Sequence, residues 1–154
     1  MTIIESNTPK ICAVALIVVM SLMMAACRAT GSNGTPESKP LLNGTIQVES
    51  GKDWTTPFEV DENMSNAVIR GEFHAKGGSG NDIKAAVAEQ NQYENWVNSH
   101  AANVAYDSGQ KTFDNFEVKL SPGRYVLGFS NRFSTFSDKS VTGKVILSYD
   151  KRLP

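Results

Sequence analysis

The side chains that could act as general acids, bases or nucleophiles are few and widely spaced. The only histidines are His74 and His100. His74 lies on the charged side of an alternating segment, and His100 follows a short helical pattern, where a cation interacts favourably with the helix dipole. The motifs of serine hydrolases, phosphate-binding loops and zinc proteases are absent from the sequence. We therefore predict a protein that is not an enzyme; a hydrolase that uses His74, His100 or Asp82 is the catalytic alternative.

A glycine-rich loop, Gly77–Asp82, offers the oxygen atoms that a hard cation prefers. Asn81 and Asp82 are the weak calcium candidates, because Ca²⁺ takes 6–8 oxygen ligands and other acidic side chains could complete the set (Asp53, Asp61, Glu62). Turn chemistry explains the same residues more simply, since glycine and asparagine tolerate unusual backbone angles. We therefore predict no metal and no cofactor.

Four aromatic residues are the candidate binding residues. Phe133 and Phe136 lie in a polar loop, and Trp54 precedes a Thr-Thr-Pro sequence. Rings on loops at one end of a domain can stack on sugars or anchor a protein partner. Trp96, in a short helical segment, is the fourth candidate. The alternative for each ring is packing against the hydrophobic core.

The composition argues against a nucleic-acid partner. The 154 residues are 40% hydrophobic, and 15 basic and 16 acidic side chains give a formal net charge of −1. One small domain is the most that this length can form, and no surplus of positive charge is available to hold a phosphate backbone.

The N-terminus has the features of an export signal. Lys10 precedes a run of sixteen residues, Ile11–Ala26, that are apolar except for Ser21. This run is shorter than the roughly 20 residues that a membrane-spanning helix needs, so we expect cleavage and not a permanent anchor. Cys12 would be lost with the signal, which leaves Cys27 without a partner for a disulfide.

The sequence Leu22–Cys27 resembles the lipobox of bacterial lipoproteins. The resemblance implies a signal peptide at residues 1–26 and a mature N-terminus at Cys27 that carries fatty acyl chains such as palmitate. Several acyl chains would anchor the protein stably to a membrane. Arg28, where an inner-membrane lipoprotein has Asp, implies the outer membrane of a Gram-negative cell envelope. The alternative is an ordinary secretory signal in which Cys27 is incidental.

The residues after Cys27 divide into a linker and a folded domain. Residues 27–43 are rich in Gly, Ser, Thr and Pro, and we expect a flexible tether. Residues 44–154 show repeated alternation of apolar and polar residues, most clearly in 67–76, 124–130 and 141–149. Turn sequences at 77–81, 108–109 and 121–123 separate the segments. About eight short strands predict an all-β, two-layer antiparallel β-sandwich.

One segment departs from this alternation. Tyr93, Trp96, Val97 and His100 follow the i, i+3, i+4, i+7 spacing of about two helical turns. The pattern predicts one short helix, which we expect to close an end of the sandwich.

The end of the chain resembles the GOLD (Golgi dynamics) domain of eukaryotic cargo receptors. The shared elements are Gly-x-Tyr at Gly123, Phe-Ser-Asn at 129–131 and Ser-Thr-x-Ser-x-Lys at 134–139. The chain is also similar to exported bacterial proteins of unassigned role that add a Gly-Gly-Ser-Gly-Asn-Asp loop and an Asn-Trp pair, here Gly77–Asp82 and 95–96. The receptors carry a Cys where this chain has Gly128, so their cargo activity does not transfer.

The GOLD-like resemblance implies a jelly-roll-like β-sandwich that mediates protein–protein interaction and has no catalysis of its own. Together with the N-terminal pattern, it predicts a lipid-anchored envelope protein with an unknown protein partner. The alternative is a carbohydrate-binding module on the cell envelope, in which the aromatic rings contact a glycan.

Overall fold

The computed structural model describes residues 34–152, which form eight strands and one short helix. The predicted signal peptide, Cys27 and residues 28–33 lie outside the described residues. In chain order the elements are β1 (Gly34–Val48), β2 (Asp53–Val60), β3 (Met64–Lys76), β4 (Ile83–Glu89), α1 (Tyr93–Val97), β5 (Val104–Lys111), β6 (Phe113–Lys119), β7 (Gly123–Ser130) and β8 (Lys139–Arg152). Within this part of the chain, no helix combines the length and the hydrophobicity needed to cross a membrane.

The strands form two antiparallel four-stranded sheets. Sheet A has the order β1-β8-β3-β6 and sheet B has the order β2-β7-β4-β5. These orders are those of a jelly roll, in which the first strand pairs with the last and the chain passes repeatedly between the sheets. The predicted two-layer, jelly-roll-like β-sandwich with one short helix is confirmed.

Alternation along the strands builds the core between the sheets. In β7 the side chains of Tyr125, Leu127 and Phe129 point inward, and in β8 those of Val145 and Leu147 do the same. Four of these five residues are fully shielded from solvent. Burial of one such side chain stabilises the fold by about 1.5–3 kcal/mol, so these inward faces fix the register of the strands.

The folded domain begins earlier than the sequence predicts. Residues 34–43, expected in the flexible tether, belong to β1 and pair with β8 from Gly34 opposite Arg152 onward. The pairing of β1 with β8 supplies backbone hydrogen bonds that the polar sequence does not reveal. A bulge between Pro40 and Leu42 buries both Leu41 and Leu42. Proline is accepted because β1 is an edge strand.

The predicted turn at Ser108-Gly109 is wrong, because both residues lie inside β5. Gly109 has a φ of 61°, and the two residues together oppose Ala85 of β4, as in a β-bulge. The Ser108 hydroxyl accepts a hydrogen bond from the Ala85 amide at 2.8 Å. Gly109 therefore allows a bulge within β5 and does not reverse the direction of the chain.

The helix α1 lies on the outer face of sheet B and does not close an end of the sandwich. Tyr93 packs with Ala88 and Val126, whose side chains point away from the main core. Gly128 allows this contact, since a Cβ there would lie 2.3 Å from the Tyr93 ring. Helical spacing predicts which side chains pack but not which surface they cover.

Candidate functional site

Three loops meet at one end of the sandwich, which we call the loop end: 49–52, 77–82 and 131–138. The Ser50 amide donates to the Asp138 carboxylate at 2.8 Å, and the Gly51 amide donates to the Asn131 carbonyl oxygen at 3.1 Å. The Lys139 ammonium donates to the Gly77 carbonyl oxygen at 2.8 Å. The glycine-rich loop and the GOLD-like ending, far apart in sequence, are thus joined in space.

Asn131 holds the base of the 131–138 loop. Its side chain is fully buried and its Nδ2 donates to the carbonyl oxygens of Val48, Glu49 and Ser137 at 3.2, 3.3 and 2.9 Å. Its backbone amide donates to the Lys52 carbonyl oxygen at 2.9 Å. One side chain therefore satisfies buried carbonyl groups of two loops, which fixes both loops against β8.

Lys139 joins the same loops from the other side. Its side chain is 3% exposed, and its Nζ lies 3.1 Å from Asp82 Oδ1. The ammonium also lies 5.8 Å from the centre of the Phe133 ring, within cation–π range. A buried ammonium needs such partners because its desolvation is strongly unfavourable. The loop end is therefore held by a charge network in addition to its backbone hydrogen bonds.

The 131–138 loop presents an exposed aromatic ring from this fixed base. Phe136 is 94% exposed, whereas Phe133 is 36% exposed. The loop is braced from within, since the Ser134 hydroxyl donates to the Ser137 carbonyl oxygen at 2.9 Å. A large apolar side chain on a braced loop is a feature of recognition surfaces.

The other two aromatic candidates lie elsewhere. Trp54 is on β2 and packs against the main core, 6.0 Å from the Phe129 ring. It is therefore a half-buried strand residue that packs against the core, and not a ring on a loop. Trp96 lies on α1, half-buried, with its ring 5.6 Å from that of Tyr93.

Trp96 and Phe133 line a common cavity of about 270 Å³ on the outer face of sheet B. Its other lining residues are mostly polar or charged: Lys84, Val97, Asn98, Ser99, Ser130 and Arg132. The structure thus brings together two of the four candidate rings at one place. Phe136 and Trp54 do not line this cavity.

Arg132 forms one wall of the cavity and is held by three side chains. Its Nε donates to Asp53 Oδ2 at 2.6 Å, and its Nη1 donates to Asn98 Oδ1 at 3.0 Å. Its Nη2 lies 3.8 Å from Glu94 Oε2. The guanidinium therefore connects the start of β2, the end of α1 and the 131–138 loop.

Three side-chain polar atoms are buried without a hydrogen-bond partner among residues 34–152: Asn131 Oδ1 and, beside Arg132, Asp53 Oδ1 and the Tyr93 hydroxyl. Burial raises the pKa of Tyr93, and the negative charge of Asp53 raises it further, while Arg132 has the opposite effect. Tyr93 therefore stays protonated at neutral pH.

The weak calcium candidates are engaged within the protein. Asn81 Oδ1 accepts from the Gly77 amide at 2.9 Å, and Asp82 faces the ammonium of Lys139. Within residues 34–152, no three Asp, Glu, His or Cys side chains converge to hold a metal ion. An ammonium at 3.1 Å from Asp82 repels a second cation, so this loop does not fit calcium.

The residues of the hydrolase alternative are not brought together. His74 is exposed on β3 of sheet A, whereas His100 follows α1, which covers sheet B. Asp82 pairs with Lys139 at the loop end. No general base and nucleophile from this set share a site.

A scan against models of protein families matches none of them, and a search of curated proteins finds no significant similarity.

The sequence reasoning missed Asn131, Lys139, Lys84 and Arg132. For the first two, the sequence contained a signal. Asn131 follows Leu127 and Phe129 at two-residue spacing, so it continues the buried face of β7. Lys139 lies two residues before the buried Val141, on the same face of β8. A polar residue in phase with a buried face indicates a buried polar contact. The cavity residues come from three separate segments, and no local pattern unites them.

Proposed function

We propose that this chain is a lipid-anchored, non-enzymatic protein of the bacterial cell envelope, with a GOLD-like β-sandwich that binds another protein through the loop end. The observation that carries the proposal is Phe136, a ring 94% exposed on a loop whose base is fixed by buried Asn131 and Lys139.

Phe136 has the properties of an anchor for a partner. The buried hydrogen bonds of Asn131 hold the loop in place before binding, so little conformational entropy is lost when the ring enters a pocket. Apolar burial of one ring supplies a large share of the binding energy of a small interface. The neighbouring side chains of Thr135 and Asp138 are exposed and can form a polar rim.

The alternative is a carbohydrate-binding module that uses Trp54, Phe133 or Phe136, and the packing of Trp54 makes it the weaker candidate. Trp54 is half-buried and packs against the main core, which leaves less of its ring available to a ligand.

Removal of the Phe136 ring is expected to weaken partner binding strongly without loss of the fold. We expect Phe136→Ala to weaken binding about 30-fold, the effect of a hot-spot residue worth about 2 kcal/mol. Crosslinking in intact cells followed by purification from solubilised envelopes measures the recovery of the specific partner. Phe113→Ala is the matched control, since Phe113 is also an exposed ring, 55% accessible, but lies on β6. Equal recovery with both variants, or no specific partner with the unaltered chain, would contradict the proposal.

The lipid anchor has its own test. Mass spectrometry of the mature protein is expected to show that Met1–Ala26 are absent and that Cys27 carries acyl chains. Cys27→Ser should release the protein from the membrane fraction, because the acyl chains are the proposed attachment. An unmodified Cys27 thiol in the mature protein would refute the anchor.

A further inference from the structure

The cavity beside α1 has the size and chemistry of a ligand site that does not include Phe136, although Arg132 and Phe133 of its lining belong to the same 131–138 loop. We propose that it binds one sugar ring that carries a carboxylate. This inference concerns a second site and does not depend on the proposed protein partner, since Phe136 does not line the cavity.

One cation of the cavity, Lys84, is available to bind an anionic group. Lys84 lies half-buried on the outer face of β4, and no carboxylate within residues 34–152 forms an ion pair with it. The other cation, Arg132, already has Asp53 at 2.6 Å and Glu94 at 3.8 Å. The four charges of Lys84, Arg132, Asp53 and Glu94 sum to zero, but both carboxylates lie at Arg132, and the ammonium of Lys84 has no ion-pair partner of its own among residues 34–152. A carboxylate on the ligand would accept a charge-assisted hydrogen bond from this ammonium.

The walls combine two rings with hydrogen-bonding groups. Trp96 and Phe133 supply apolar faces that suit the C–H surface of a sugar, and the hydroxyls of Ser99 and Ser130 can bond to its hydroxyl groups. A purely apolar ring would leave these polar groups unmatched. The volume, about 270 Å³, lies just below the roughly 300–1,000 Å³ of sites for drug-sized ligands, so the occupant is a single ring.

Ser99 is an unusual choice for its position. The amides of Ser99 and His100 donate to the carbonyl oxygens of Trp96 and Asn95 at 3.0 and 2.8 Å, which is the Schellman pattern that ends a helix. The residue at this place is usually glycine, because its φ is left-handed, and Ser99 has a φ of 59°. A side chain held in a strained conformation beside a cavity points to a use for its hydroxyl.

The site is organised before a ligand arrives. Arg132 is fixed by Asp53 and by Asn98 Oδ1, and the Asn98 amide group donates to the Glu94 carbonyl oxygen at 2.8 Å. The backbone amide of Arg132 donates to the Ser130 hydroxyl at 3.4 Å. These hydrogen bonds fix the two sides of the cavity relative to each other. Less conformational entropy is therefore lost when a ligand binds.

Titration of the purified full chain with sodium glucuronate and with glucose, followed by two-dimensional ¹H–¹⁵N NMR, tests the proposal. We expect saturable shifts at the Trp96 indole N–H, Ser99 and Arg132 with glucuronate, and at least tenfold weaker binding of glucose. Lys84→Gln should weaken glucuronate binding tenfold or more and leave glucose binding unchanged. The matched control is Lys76→Gln, at an exposed lysine on β3 of the other sheet, which should change neither.

Three results would overturn the inference: no saturable shift with glucuronate, equal affinity for both sugars, or unchanged glucuronate affinity in Lys84→Gln. A disaccharide that ends in glucuronic acid separates two sources of the ligand. Tighter binding than the monosaccharide assigns the site to glycan ends, and equal or weaker binding assigns it to free sugar acids. Phe136→Ala should bind glucuronate normally, so failure of this site and failure of the protein-binding loop are distinguishable.

Discussion

Asn131→Asp is expected to destabilise the fold by about 3 kcal/mol at neutral pH, because a buried donor is replaced by an acceptor. The Nδ2 group of Asn131 donates to three carbonyl oxygens, those of Val48, Glu49 and Ser137. A carboxylate in the same place would repel all three oxygens. It would also be fully shielded from water, as the native side chain is.

The loss of stability caused by Asn131→Asp should become larger as the pH rises. Burial and the facing carbonyl oxygens raise the folded-state pKa of the introduced carboxyl, whereas in the unfolded chain it titrates near the ordinary value of about 3.9. Above about pH 4 the unfolded state therefore binds fewer protons than the folded state, and stability falls as the pH rises towards the folded-state pKa.

Urea denaturation of Asn131→Asp and of the unaltered chain, at pH 4 and at pH 7, measures both effects. We expect the difference in unfolding free energy between the two proteins to be clearly larger at pH 7. Asn43→Asp is the control, since Asn43 is exposed on β1 and should change stability by about 0.5 kcal/mol or less. A small, pH-independent change in Asn131→Asp would show that its contacts do not hold the loop end.

Asp82→Ala is expected to lower the free energy of unfolding by about 3 kcal/mol, because it leaves the ammonium of Lys139 buried without its carboxylate. Lys139 is 3% exposed and Asp82 is 26% exposed, so water can reach the acid more easily than the base. The remaining partners of the ammonium are the Gly77 carbonyl oxygen and the Phe133 ring. Adding Lys139→Met to Asp82→Ala removes the stranded charge and should restore most of the stability.

Thermal and urea unfolding of both variants measure this recovery. The control is Glu117→Ala, which breaks the exposed pair of Arg70 and Glu117, with side chains 54% and 57% accessible; a loss below about 1 kcal/mol is expected. If the double variant is less stable than Asp82→Ala alone, Lys139 contributes mainly through its hydrogen bond to Gly77, and the charge argument is wrong.

The strands of the central sandwich could be predicted because each places one face on the core. The alternation of Tyr125, Leu127 and Phe129 in β7 reports such a face directly. The start of β1 could not be predicted in this way, since Gly34–Pro40 is held by pairing with β8 and buries little side-chain surface. Backbone hydrogen bonds leave no trace in the pattern of side chains.

The candidate site was predictable only in its separate pieces. Phe133, Phe136 and Trp96 stand out as aromatic residues in polar surroundings, but their neighbours in space come from distant strands. Lys84 is brought to the cavity by the pairing of β4 with β7, in which it lies opposite Ser130. That register follows from the whole sheet order, and no short segment of sequence contains it.

β1 places the start of the folded domain and the loop end at opposite ends of one long strand. Gly34 lies at the opposite end of β1 from Val48, where the loop end begins, and a strand of fifteen residues is about 45 Å long. Cys27 precedes Gly34 by seven residues, which can span at most about 25 Å. If Cys27 is acylated, its attachment to the bilayer would therefore lie within about 25 Å of Gly34, at the end of β1 that pairs with Arg152 and not at the end that contacts the Phe136 loop.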